Sequence, residues 1–109
     1  MNRLHLTKQA QRDLSEIKRY ISEELENPAA AMNTVKQITQ NMRMLESFPH
    51  SGTPLLSPHS FRSEYRYLIS GSYMVFYRTV LPDIYVERVL YGRRDYLQLL
   101  FDEEIPPDE

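Results

Sequence analysis

Polar and apolar residues alternate over positions 2 to 6, "NRLHL", which predicts a short strand. Thr7 follows as a candidate N-cap. Ala10, Leu14, Ile17, Ile21 and Leu25 then recur at helical steps, with Lys8, Arg12, Glu16 and Arg19 off that face. Asn27-Pro28 reads as a stop and a restart, because Asn caps helices and Pro fits the first helical position. A second apolar stripe runs through Ala31, Val35, Ile38, Met42 and Leu45. Two amphipathic helices on so short a link predict an antiparallel helical hairpin over residues 7–47.

Residues 48–60, "FPHSGTPLLSPHS", hold three prolines and a glycine and read as a long ordered loop. Three strands are predicted after it. "EYRYLI" (64–69) and "SYMVFYRT" (72–79) join across Ser70-Gly71, and "IYVERVLY" (84–91) follows a Leu-Pro-Asp turn. Gly92 ends the last strand, and Asp95 is a candidate cap for a final helix over about 95–101. The predicted order is β-α-α-β-β-β-α. It is an α+β single domain, with the helical hairpin packed on one face of a small, mainly antiparallel sheet. No repeat or second domain is visible, so residues 1–101 read as the domain and 102–109 as a tail.

Charge sharpens that division. The formal net charge of -2 hides a tail, "DEEIPPDE", with five acids and no base. Without the tail, 13 basic and 10 acidic residues remain, a net of +3. Residues 61–94 hold six arginines, Arg62, Arg66, Arg78, Arg88, Arg93 and Arg94, against Glu64, Asp83 and Glu87, and no lysine occurs after Lys36. Arginine without lysine favours planar, bidentate contacts to carboxylate or phosphate. The tail fits two readings: a disordered, solubilising end, or a segment that folds over the arginine-rich face.

The chain has no cysteine, which excludes disulfides and thiolate metal sites and permits the reducing cytoplasm, the expected compartment. The N-terminus turns polar too early for a signal peptide, and no apolar run approaches the roughly 20 residues that span a bilayer. His5, His50 and His59 stand in no ligand pattern, so no metal is expected. No serine sits in a Gly-x-Ser-x-Gly elbow, and the three glycines are too far apart for a phosphate loop. No cofactor is expected.

Arginines and tyrosines remain. Strand period two puts Tyr65, Tyr67 and Ile69 opposite Arg66 and Leu68, and Tyr73, Val75 and Tyr77 opposite Met74, Phe76 and Arg78. In the last strand it puts Tyr85, Glu87, Val89 and Tyr91 opposite Ile84, Val86, Arg88 and Leu90. One sheet face must bury against the helices, and the other is expected to be free. Arginines among aromatics there suit nucleic acid or an acidic peptide. They equally suit a half-buried sheet whose arginines pair with Glu64, Glu87 and Asp95.

Several segments, in order, resemble the RelE/ParE superfamily of bacterial type II toxin–antitoxin toxins. "LTKQAQRDLSEIKRYI" looks like that family's first helix, with its Ala-x-x-Asp-Leu-x-x-Ile pattern. "NPAAAMNTVKQITQNMRMLESFPHSG" resembles its second helix, and "YRYLISGSYMVFYR" and "VLYGRRDY" its sheet and last turn. The likeness spans residues 3–101 and implies the same fold. It implies a growth-inhibiting toxin, neutralised by a cognate antitoxin in a hetero-oligomer. RelE-like members cut mRNA on the ribosome, whereas ParE-like members poison DNA gyrase; the Asn-Pro hairpin and "FPHSG" loop look more like ParE and its plasmid-stabilisation relatives. The resemblance matches Arg94 to a functional arginine, puts Met74 where RelE-like enzymes carry another, and places Leu100 near their terminal tyrosine. Tyr91 stands where related toxins often have histidine, and Tyr96 is a stand-in. The candidate catalytic set is therefore Arg94, Arg66, Tyr91 and Tyr96, with Arg62, Arg78, Arg88 and Arg93 as target contacts. Topoisomerase poisoning ranks above mRNA cleavage, because Met74 and Leu100 lack the groups that cleavage needs; a non-toxic binding module is the third reading.

Overall fold

A computed structural model describes residues 2–56 and 62–92. The chain runs through strand β1 (Arg3–Leu6), helix α1 (Lys8–Arg19), helix α2 (Pro28–Arg43), and strands β2 (Thr53–Leu56), β3 (Arg62–Ser70), β4 (Tyr73–Val80) and β5 (Asp83–Tyr91). The sheet order is β1-β5-β4-β3-β2, with β1 parallel to β5 and the other neighbours antiparallel. Both helices pack on one face, so the α+β layering expected from the sequence is the one found.

The caps lie where local chemistry puts them. The Ala10 N–H donates to Thr7 Oγ1 at 3.1 Å, and the Ala30 N–H to Asn27 Oδ1 at 3.1 Å. Between the helices the chain widens into a π-helical turn, Tyr20–Glu24. The wider turn has more residues per revolution, so it rotates the stripe out of register: Ile21 is buried but Leu25 is 56% exposed, not part of the predicted core face.

Two strand features differ from the sequence expectation. The predicted loop 48–60 contains β2, which pairs with β3 through Thr53↔Tyr67 and Pro54↔Arg66. Proline is tolerated because β2 is an edge strand. The other is a bulge in the β4–β5 ladder: Phe76 pairs with Arg88 but Tyr77 with Val86, so Glu87 is skipped. The bulge moves Val89 to the helix-facing side with Ile84 and Val86, whereas strict alternation put it opposite them.

The main core lies between helices and sheet, and includes Ala10, Ile38, Met42, Leu45, Val75, Tyr77, Ile84, Val86 and Val89. The opposite sheet face is not free. Leu55, Met74 and Phe76 form a second buried cluster there, with Tyr65, Tyr67 and Leu90 against it. The predicted final helix, 95–101, lies outside the described residues.

Candidate functional site

Three of the candidate arginines are held by partners, each for a local reason. Arg66 lies on the helix-facing side of β3. Its Nη1 donates to the Gly52 carbonyl at 2.9 Å and the His50 carbonyl at 3.3 Å. The Gly52 N–H donates to Tyr77 Oη at 2.8 Å. The "FPHSG" loop is thus pinned to the sheet at both backbone groups of Gly52. Only glycine fits, because a Cβ there would lie 2.5 Å from Tyr77 Oη and 2.8 Å from the Tyr67 carbonyl oxygen. Burial pushes the Tyr77 hydroxyl pKa up, against the Gly52 hydrogen bond and the nearby Arg66, which lower it.

Arg88 follows the bulge and turns to α1. β1 covers β5 only from Asp83 to Val86, and past that point α1 takes over the exposed edge. Thr7 Oγ1 donates to the Glu87 carbonyl at 3.0 Å. Asp13 accepts from Arg88 Nε at 2.8 Å, Arg88 Nη2 at 3.0 Å and the Val89 N–H at 2.9 Å. The Asp13 hydrogen bond is the main cause that raises the Arg88 pKa.

Arg78 belongs to a row that crosses four strands in register. His5 pairs with Tyr85, Tyr85 with Arg78, and Arg78 with Tyr65. His5 stacks on Tyr85 with ring centroids 5.1 Å apart, and the Arg78 guanidinium lies 4.8 Å from the centre of the same ring. Arg78 Nε donates to Glu87 Oε1 at 2.6 Å, and this bond is the largest cause that raises the Arg78 pKa. Asp83 closes the row's end: His5 Nε2 lies 2.8 Å and Arg3 Nε 3.2 Å from its Oδ1, and they lower its pKa. Burial is the first cause that pushes Tyr65 up, with Glu87 and Glu64 adding to it. The pairing of Arg78 with Glu87 matches one of the two sequence readings.

The end of β5 is built differently. Gly92 (φ 62°) donates its N–H to the Ser72 carbonyl at 2.8 Å, which closes the sheet's end against the Gly71 turn (φ 61°). Tyr91 is 66% exposed and meets Tyr73 edge-on, with centroids 5.6 Å apart. Burial raises the Tyr73 pKa, with Tyr91 and Tyr20 adding to the shift. Ile69, Gly71, Ser72, Tyr73, Met74, Tyr91 and Gly92 line a shallow groove of about 340 Å³.

Tyr91 shares the helix-facing side of the sheet with Arg66, but it pairs with Tyr73, four residues along β4 from the Tyr77 that pairs with Arg66, and Arg78 lies on the other face: the described candidates do not converge on one reacting point. Arg93, Arg94 and Tyr96 lie outside the described residues, as do Leu100 and the Arg62 side chain. Met74, where the resemblance expects an arginine, is 5% exposed within the second apolar cluster. Among the described residues, no three His, Asp or Glu side chains come together to hold a metal. No helix among them is long and apolar enough to cross a membrane.

Sequence reasoning missed Asp13 and the Gly52–Tyr77 contact. A signal existed for the first: Asp13 adjoins the apolar stripe between Ala10 and Leu14, where a carboxylate is buried only with a partner.

The family model for the ParE toxin of type II toxin–antitoxin system, parDE, matches residues 4–96. No curated protein matches the chain. Among solved structures, a chain of the chromosomal ParDE TA system from P. aeruginosa superposes with a TM-score of 0.71 at 22% identity. The match covers 85% of this chain and 98% of that one. At this identity the likeness speaks for the fold, which the two share.

Proposed function

The chain belongs to the ParE toxin family of type II toxin–antitoxin systems, and on that premise we propose that it is the toxin of such a module. It inhibits growth in the cytoplasm by binding DNA gyrase or a related topoisomerase, and a cognate antitoxin neutralises it by binding as a hetero-oligomer. The observation that carries the choice of target is Met74. An mRNA-cleaving site needs cations where charge develops on the scissile phosphate. Met74 is instead packed with Phe76 and Leu55 in an apolar cluster, and a thioether offers a phosphate no positive charge.

Arg66, Arg78 and Arg88 point the same way, since each guanidinium already bonds carbonyls or a carboxylate. In this reading they shape the sheet, and target contact falls to the end of β5: Tyr91, and the following Arg93, Arg94 and Tyr96. Tyr91 is exposed, and tyrosine and arginine are the residue types that dominate protein interfaces.

Induced expression with and without the neighbouring gene tests the toxin role. Growth arrest that the neighbour relieves is expected; normal growth in every host would instead favour a non-toxic binding module. Primer extension on mRNA from translating ribosomes should show no new cuts. Codon-specific cuts would establish the RelE-like endonuclease in place of the topoisomerase poison.

A further inference from the structure

Helix α1 carries a stripe of exposed cations. At 3.6 residues per turn, Lys8, Arg12, Ser15 and Arg19 fall within about 60° of one another, and about opposite the inward-facing Ala10, Leu14 and Ile17. All four are exposed. Lys8, Gln11, Arg12 and Ser15 line a shallow depression of about 360 Å³. Among the described residues, none of Lys8, Arg12, Lys18 or Arg19 makes a salt bridge. The acids of α1 do not cancel them: Asp13 is turned inward to Arg88, which leaves Glu16 as the exposed one.

We propose that this stripe is the docking surface for the chain's own acidic segment, residues 102–109. Charge complementarity is the first argument: the segment carries five carboxylates in eight residues, and the stripe three cations on one helix face. Among the described residues the sheet's arginines are the poorer host, because Arg66, Arg78 and Arg88 are already bonded. Reach is the second. The Val89 N–H bonds Asp13 on α1, so Gly92 leaves the sheet about 10 Å further along β5. The ten residues from there to position 102 span up to roughly 35 Å, and the stripe itself is about 16 Å long. Tethering makes the encounter intramolecular, with an effective concentration in the millimolar range, so a weak electrostatic contact suffices.

The absence of cysteine makes the test direct. A nitroxide is attached to Ser15→Cys in the full chain, and amide signals of residues 102–109 are compared before and after the label is reduced. At about 20 mM salt the tail signals should lose at least half their intensity. The loss should disappear at about 0.5 M salt, where screening shortens charge attraction to a few ångströms, and in the Arg12→Gln/Arg19→Gln variant. A second measurement needs no label: neutralising Asp102, Glu103, Glu104, Asp108 and Glu109 to their amides should shift the backbone signals of α1. Full tail intensity at low salt, or a loss unchanged by Arg12→Gln/Arg19→Gln, would overturn the proposal. So would an unbroadened tail with α1 signals that move on adding a short single-stranded DNA, which assigns the stripe to a phosphate-bearing partner.

Discussion

The Asp13 carboxylate joins Arg88 through two hydrogen bonds, of 2.8 and 3.0 Å, and takes a third, of 2.9 Å, from the Val89 N–H. One side chain on α1 thereby fixes both the guanidinium that follows the β5 bulge and the next backbone amide. Asp13→Ala removes all three bonds and leaves Arg88, whose side chain is 19% exposed, without its counter-charge. A loss of about 3–5 kcal/mol is expected, as when one partner of a buried pair is deleted. Urea unfolding of the variant against the parent measures it.

Asp83 sets a pH dependence. His5 first, and Arg3, hold its pKa below the ordinary 3.8, so the folded state binds that proton less readily than the unfolded chain. Its contribution is present above about pH 4 and is lost as pH falls through the lowered folded value. Asp83→Asn should therefore lower stability at neutral pH and converge with the parent in strong acid. Thermal unfolding from pH 2 to pH 7 reads this, and added salt should shrink the difference because the pair is exposed.

Tyr77→Phe tests the anchoring of the "FPHSG" loop. The ring still fills the core, but the buried Gly52 N–H loses its acceptor. A cost of about 1–3 kcal/mol follows. Gly52→Ala should be worse than a surface Gly→Ala change, since its Cβ would meet the Tyr77 ring 2.7 Å away and the Tyr67 carbonyl oxygen 2.8 Å away. Chemical unfolding of both variants ranks them.

Helices and caps were legible because they depend on neighbours three and four residues apart: Thr7 with Ala10, Asn27 with Ala30. The layering followed from their apolar stripes. β2 was hidden because its partner is β3 and its Pro54 reads locally as a loop. The β5 bulge has no marker in a period-two pattern, so Val89 fell on the wrong side. The candidate site was less legible still. Arg88 finds its carboxylate 75 positions away and Arg66 its carbonyl 14 away, so no local pattern told a paired arginine from a free one. Residue type puts Arg66 in the candidate catalytic set and Arg88 among the target contacts, although both are already bonded.

Met74→Arg tests how closed this position is to a cation. It supplies the cation that RelE-like enzymes carry, but at a position 5% exposed among Leu55 and Phe76. The variant is expected to lose several kcal/mol, as for an unpaired buried charge, and to gain no cleavage of mRNA. Circular dichroism on heating gives the stability, and primer extension the cleavage.

Adding the purified chain to DNA gyrase and supercoiled plasmid tests whether the toxin acts by contact with a topoisomerase. Linear DNA released after protease treatment reports trapped cleavage complexes. It should accumulate with the parent chain and fall at least tenfold with folded Arg93→Ala/Arg94→Ala. No linear product from the parent chain, with gyrase and a type II topoisomerase relative both tested, would contradict that contact.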